Sequence, residues 1–98
     1  MRIAVIKETI AMTKDETLVE KSDEIYSVHF DFDETWDGFT KTALFKAGEY
    51  VEELALVDDE CDIPSECLEI PGLMLKVLVR GVKGDEEIST PWCNTSRI

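Results

Sequence analysis

Phe30-Asp31-Phe32-Asp33-Glu34-Thr35-Trp36-Asp37-Gly38-Phe39-Thr40-Lys41-Thr42-Ala43-Leu44-Phe45 is the stretch that decides the fold. Five of its sixteen residues are aromatic, against 8% of the whole chain. It begins inside an alternating segment: Tyr26, Val28, Phe30 and Phe32 share one face, and Ser27, His29 and Asp31 share the other. A period of two is that of a half-buried strand. Asp33 to Gly38 breaks the alternation with turn residues, and Lys41 to Lys46 resumes it. Strand, acidic turn and strand, with Trp36 at the bend, describe the corner of a β-sandwich.

The rest of the chain extends this pattern. Ile3 to Ile6 is a short apolar strand, whereas Lys7 to Asp15 is mixed and yields no assignment. Thr13-Lys14-Asp15-Glu16 has the form of a helix capping box, but no amphipathic helix follows, so it reads as a loop or turn. Thr17 to Glu20 is expected as the second strand, and Glu24 to Phe32 as the third. Lys41–Lys46 and Tyr50–Val57 form a hairpin around a three-residue loop, Ala47-Gly48-Glu49, whose glycine supplies a positive φ at low cost. Cys61 to Pro64 is extended, Ser65 to Leu68 makes a single helical turn, and Pro71-Gly72 signals a type II turn. Leu73 to Val82 is a long strand with Leu73, Leu75, Val77 and Val79 on one face. Its other face mixes Lys76 and Arg80 with Met74, Leu78 and Val82, as in a central strand or one covered by a partner. Glu86 to Trp92 returns after a turn at Lys83-Gly84-Asp85, and Pro91 ends its pairing.

About seven short strands with turns every eight to twelve residues indicate an all-β sandwich or small barrel. The expected core is Tyr26, Val28, Phe30, Phe32, Phe45, Leu73, Leu75, Val77, Val79 and Ile88. Ninety-eight residues make one domain, assigned to 1–92, with 93–98 as a tail or the start of a linker. A chain of this size hides about 65% of its unfolded surface, which is enough for a core without staples.

Ten basic against 22 acidic residues give a net charge of −12. Such a surface repels the phosphates of nucleic acid and anionic membranes. It suits solubility and protection against edge-to-edge strand pairing, or a basic partner surface. The apolar run in Met1 to Glu8 is too short for a secretory signal, and no stretch approaches a membrane span. The expected location is therefore a cytoplasm. An odd cysteine count fits reduced thiols rather than a disulfide framework.

The chemical candidates are weak. Asp31 to Asp37 alternates acids as calcium loops do, but lacks the central glycine and distal glutamate of an EF-hand. Asp33 and Asp37 therefore read as turn residues. Asp58, Asp59, Glu60 and Asp62 read as a solvated loop. Cys61, Cys67 and Cys93 with His29 have the residue types of a zinc site, but C-x5-C is wider than zinc-knuckle spacing. His29 lies on a polar face with no nucleophile motif near it, and no phosphate loop or nucleophile elbow is present. No enzyme, metal or cofactor is expected. Trp36 and Trp92 are the candidate interaction or junction residues, either as core packing or as platforms for a sugar ring.

Trp36-Asp37-Gly38-Phe39-Thr40-Lys41-Thr42-Ala43-Leu44-Phe45, then Ile63-Pro64-Ser65-Glu66-Cys67-Leu68, then Pro71-Gly72 leading into a strand that ends at Gly81, occur in a familiar order. In these pieces, spread over roughly residues 24 to 92, the chain resembles the N-terminal immunoglobulin-like module of phage and prophage tail or baseplate proteins of the baseplate upper-protein type. The resemblance implies an immunoglobulin-like antiparallel sandwich and a non-enzymatic virion structural role exercised by docking. Other tail or baseplate proteins, or further copies of the chain, would be the partners; the bacterial cytoplasm would be the location on expression and the virion the location once assembled. The alternatives are a carbohydrate-binding sandwich, which needs an exposed aromatic platform, and an acidic DNA-mimic inhibitor, which needs carboxylates in a phosphate-like double stripe.

Overall fold

The computed structural model describes residues 1–14, 26–68 and 73–97. Among these residues there are nine strands: β1 (Arg2–Ile6), β2 (Thr9–Lys14), β3 (Ser27–Phe32), β4 (Thr40–Ala47), β5 (Tyr50–Ala55), β6 (Glu60–Asp62), β7 (Met74–Lys83), β8 (Glu86–Ser89) and β9 (Cys93–Arg97). They form the expected two-sheet sandwich. The first sheet has the order β2-β1-β3-β6, and the second runs β5-β4-β7 with both β8 and β9 on the far side of β7. All pairs are antiparallel except β1 with β3.

Period-two burial builds the core. Ile3 and Val5 of β1, Val28 and Phe30 of β3, Ala43 and Phe45 of β4, and Leu75, Val77 and Val79 of β7 all face inward with no exposed surface. Of the expected core, Tyr26, Val28, Phe30, Phe45, Leu75, Val77 and Val79 are buried, while Phe32, Leu73 and Ile88 are half-buried and pack against it.

Five segments depart from the expectation or fall outside the described residues. The unassigned stretch after Lys7 contains β2, so Thr13 and Lys14 end a strand instead of opening a loop. The proposed strand over 17–20 and the Pro71-Gly72 turn lie outside the described residues. The hairpin loop is two residues long, because Ala47 still pairs with Tyr50; Gly48 takes the positive φ of 62° that a type II′ turn requires at its first position. Residues 93–97, expected as a tail, form β9, with Val77 opposite Cys93 and Lys76 opposite Asn94. Cys-Asn-Thr-Ser-Arg has no apolar alternation, and what holds it is backbone pairing plus the Thr95 hydroxyl donating to the Leu75 carbonyl at 2.8 Å.

β8 and β9 occupy one edge of β7 in succession, and Thr90-Pro91-Trp92 is the break between them. Proline has no N–H to give the ladder. Thr90 replaces it: its N–H donates to the Val79 carbonyl at 2.9 Å, and its hydroxyl oxygen accepts the Val79 N–H at 3.0 Å. The one polar side chain fully buried among the described residues thus satisfies a backbone donor at the break.

The corner after β3 is held by Asp33 and Trp36. Asp33 caps the one-turn 3-10 helix Glu34–Trp36, accepting the Thr35 N–H at 3.2 Å, and its other oxygen accepts the Lys7 N–H at 3.0 Å. The Trp36 indole N–H donates to the Lys7 carbonyl at 2.7 Å. Lys7, which has a φ of 55° that L-residues adopt at a cost, is therefore pinned on both sides by the corner.

Candidate docking face

The two tryptophans separate. Trp36 is fully buried, its ring packed between Phe32 at 5.3 Å and Phe39 at 6.3 Å. It is a core residue and is removed from the candidate interaction residues. Its size and the Phe32 and Phe39 rings on either side favour burial, and its single polar atom already has a partner. Trp92 is 40% exposed at the break between β8 and β9.

The outer face of the second sheet can be built row by row from the ladder. One row runs Val51, Lys46, Lys76, Asn94; the next places Glu53, Leu44 and Leu78 side by side; a third runs Ala55, Thr42, Arg80, Ser89. Val51 and Val82 are exposed at 48% and 44%, and Leu44 and Leu78 are half-buried. The Lys46 ammonium lies 5.9 Å from the Trp92 ring centre, within cation–π reach. Arg80 pairs with Glu87 at 3.6 Å. This face carries the mixed residues that the 73–82 pattern singled out. Its lysine pair was not legible in the sequence, because strand register is not.

The outer face of the first sheet differs in that its charges are used internally. Arg2 grips Asp31 through two hydrogen bonds of 2.8 and 3.3 Å, and this holds the Asp31 carboxyl below its ordinary pKa. His29 lies 3.4 Å from the same carboxylate and 3.9 Å from Glu60. Ser27 donates to Asp62 at 3.0 Å. At the crossover between the sheets, Asp58 and Asp59 both have positive φ, 53° and 61°, which suits a tight turn built from aspartates. Asp59 meets Lys41 at 3.3 Å.

The three thiols are free. Cys67 and Cys93 are buried and Cys61 half-buried, and burial pushes Cys61 and Cys67 from 9.0 up to about 12. At neutral pH they stay protonated and are poor nucleophiles. A cleft of about 280 Å³ opens between Gly48, Tyr50, Glu66, Cys67 and Leu73, but the sulfur beside it is this inert thiol. Among the described residues no cluster of three or more His, Cys, Asp or Glu side chains is placed to hold a metal, and no helix is long and apolar enough to cross a membrane.

These raised values fix a sign. The folded protein keeps thiol protons that the unfolded chain loses above about pH 9, so stability should fall as pH rises from there to about 12. Urea midpoints followed across that window should decline, and the decline should be shallower in Cys61→Ala/Cys67→Ala. Tyr50, raised to about 12 chiefly by desolvation, leaves a residual slope. A variant with the wild-type slope would show that the thiols do not drive it.

Set against known proteins, the chain matches no family model, no curated protein and no solved structure.

Proposed function

We propose that this chain is a non-enzymatic structural module of a phage or prophage tail or baseplate, and that it docks to other tail proteins through the outer face of the β5-β4-β7 sheet. The observation that carries the docking reading is the exposed Trp92, whose ring lies 5.9 Å from the Lys46 ammonium on the sheet that pairs Leu44 with Leu78. Interfaces concentrate their binding energy in aromatic and arginine anchors of this kind. The phage assignment is supported by the resemblance of the Trp36–Phe45 and Ile63–Leu68 pieces. In this fold those pieces supply core: Trp36, Ala43, Phe45, Ile63 and Cys67 are all buried. What the resemblance tracks is therefore the scaffold, and the face is where a partner would be read.

The sugar-binding alternative is left with one aromatic, Trp92, because Trp36 belongs to the core, and the Trp92 ring has Lys46 over it. The DNA-mimic alternative needs free carboxylates in rows, whereas Asp31, Asp33, Asp59, Asp62 and Glu87 are engaged within the chain.

Immobilised protein, exposed to a lysate of cells in which a tail-bearing prophage is induced, should retain tail or baseplate proteins. Leu78→Asp, which puts a charge in the apolar row, should lose them while its circular dichroism stays that of the wild type. Retention of no tail protein by the wild-type chain would sink the assignment. Equal retention by Leu78→Asp would move the docking surface elsewhere.

A further inference from the structure

The outer face of the β5-β4-β7 sheet reverses the charge of the molecule. The chain has 22 acidic and ten basic residues, so carboxylates are in ample supply for every cation. Arg2, Lys41 and Arg80 each have one. Yet the two central strands place Lys46 directly opposite Lys76, and like charges facing across a ladder destabilise it. Among the described residues neither ammonium has a carboxylate within ion-pair reach. Their row is closed by uncharged Val51 and Asn94. One row on, Leu44 faces Leu78, and the Trp92 ring stands under Lys46. Two unpaired cations thus border an apolar strip on a face that a strongly acidic chain had every means to neutralise.

We propose that this platform takes an acidic segment of a partner protein: an extended stretch whose carboxylates straddle Lys46 and Lys76 and whose aliphatic or aromatic residue sits on Leu44 and Leu78. The inference rests on the docking reading above and adds the chemistry of the partner. Charge complementarity selects this occupant. A two-fold dimer through the same face would set the lysines of one copy against those of the other. A basic segment would be repelled by Lys46 and Lys76, which have no carboxylate within ion-pair reach among the described residues. Carboxylates brought from outside offset the repulsion built into the ladder, and each contact also gains from the half-buried setting of the lysines.

The test uses three blocked peptides of equal length that alternate leucine with glutamate, glutamine or lysine, titrated into isotope-labelled full-length protein and followed by amide chemical shifts. The glutamate peptide should shift residues of β4, β7 and β9 around Lys46, Lys76 and Trp92, and bind about tenfold tighter than the glutamine peptide. The lysine peptide should not bind. In Lys46→Glu/Lys76→Glu the order should invert, with the lysine peptide now preferred; this gain of binding cannot arise from misfolding. If the peptides bind the face alike, or the charge-reversed variant keeps the wild-type preference, the acidic partner is excluded while docking through the face stands. If the glutamate peptide shifts nothing or shifts residues elsewhere, the proposal is overturned, and the docking reading is then judged by the capture experiment with Leu78→Asp, which uses no peptide.

Discussion

Trp36→Ala should lower the unfolding free energy by about 3–5 kcal/mol, the range for deleting a large buried aromatic. A domain of this size has about 5–15 kcal/mol in all, so the variant should be close to the edge of folding. The loss has two separable parts. The ring fills the corner between Phe32 and Phe39, and its removal leaves a cavity that these rings cannot close without moving β3. The indole N–H also holds the Lys7 carbonyl at 2.7 Å, and Lys7 is the residue in the unfavourable positive-φ conformation. Trp36→Phe keeps much of the apolar volume and loses that donor. Its cost should therefore be intermediate and should include weakened protection of the β1–β2 turn against hydrogen exchange. Urea unfolding gives the first quantity and amide exchange the second. A cost below about 1 kcal/mol for the alanine variant would mean that the indole is not packed as described.

The corner was legible because both of its signals are local. The period of two from Tyr26 to Phe32 and the turn residues from Asp33 to Gly38 need no knowledge of neighbours, and the inward-facing residues of β7 followed in the same way. β2 and β9 were not legible, for different reasons. Thr-Ile-Ala-Met-Thr-Lys does alternate, but with alanine and threonine between its larger side chains the contrast is weak, and its edge position is set by pairing with β1. Cys-Asn-Thr-Ser-Arg carries no pattern at all; it becomes a strand because Pro91 stops β8 and leaves the remaining edge of β7 free for backbone pairing. The docking face was half legible. The mixed residues of the 73–82 stretch marked it, whereas the opposition of Lys46 to Lys76 depends on a register in which a slip of one residue would turn one of them to the core. Trp36 was read as either core or contact because an aromatic at a bend serves both roles until the residue across from it is known.

That residue is Gly81, and Gly81→Ala carries the second large expectation. Its φ is not positive, so no turn requires a glycine there, and on backbone grounds alone alanine would be the better strand residue by about 0.5–1 kcal/mol. Space decides otherwise. A Cβ at this position would lie 2.7 Å from Trp36 Cζ3 and 3.0 Å from Cε3, with Phe39 Cδ2 at 3.2 Å. The indole has nowhere to retreat, since Phe32 stands 5.3 Å away and the ring nitrogen is tied to Lys7. β7 cannot retreat either, because Gly81 is paired with Lys41 on one side and Ile88 on the other. Overpacking of this kind costs about 1–3 kcal/mol, enough to outweigh the backbone gain. The decisive measurement is the double-mutant cycle. In the Trp36→Ala background the contacts with the indole are gone and Phe39 can shift into the vacated space, so Gly81→Ala should become neutral or stabilising and its sign should invert. An equal loss in both backgrounds would show that the glycine is needed for something other than the indole. The inversion would establish that one methyl group on β7 and one ring at the corner exclude each other, which is how a glycine 45 positions from Trp36 comes to be part of the same lock.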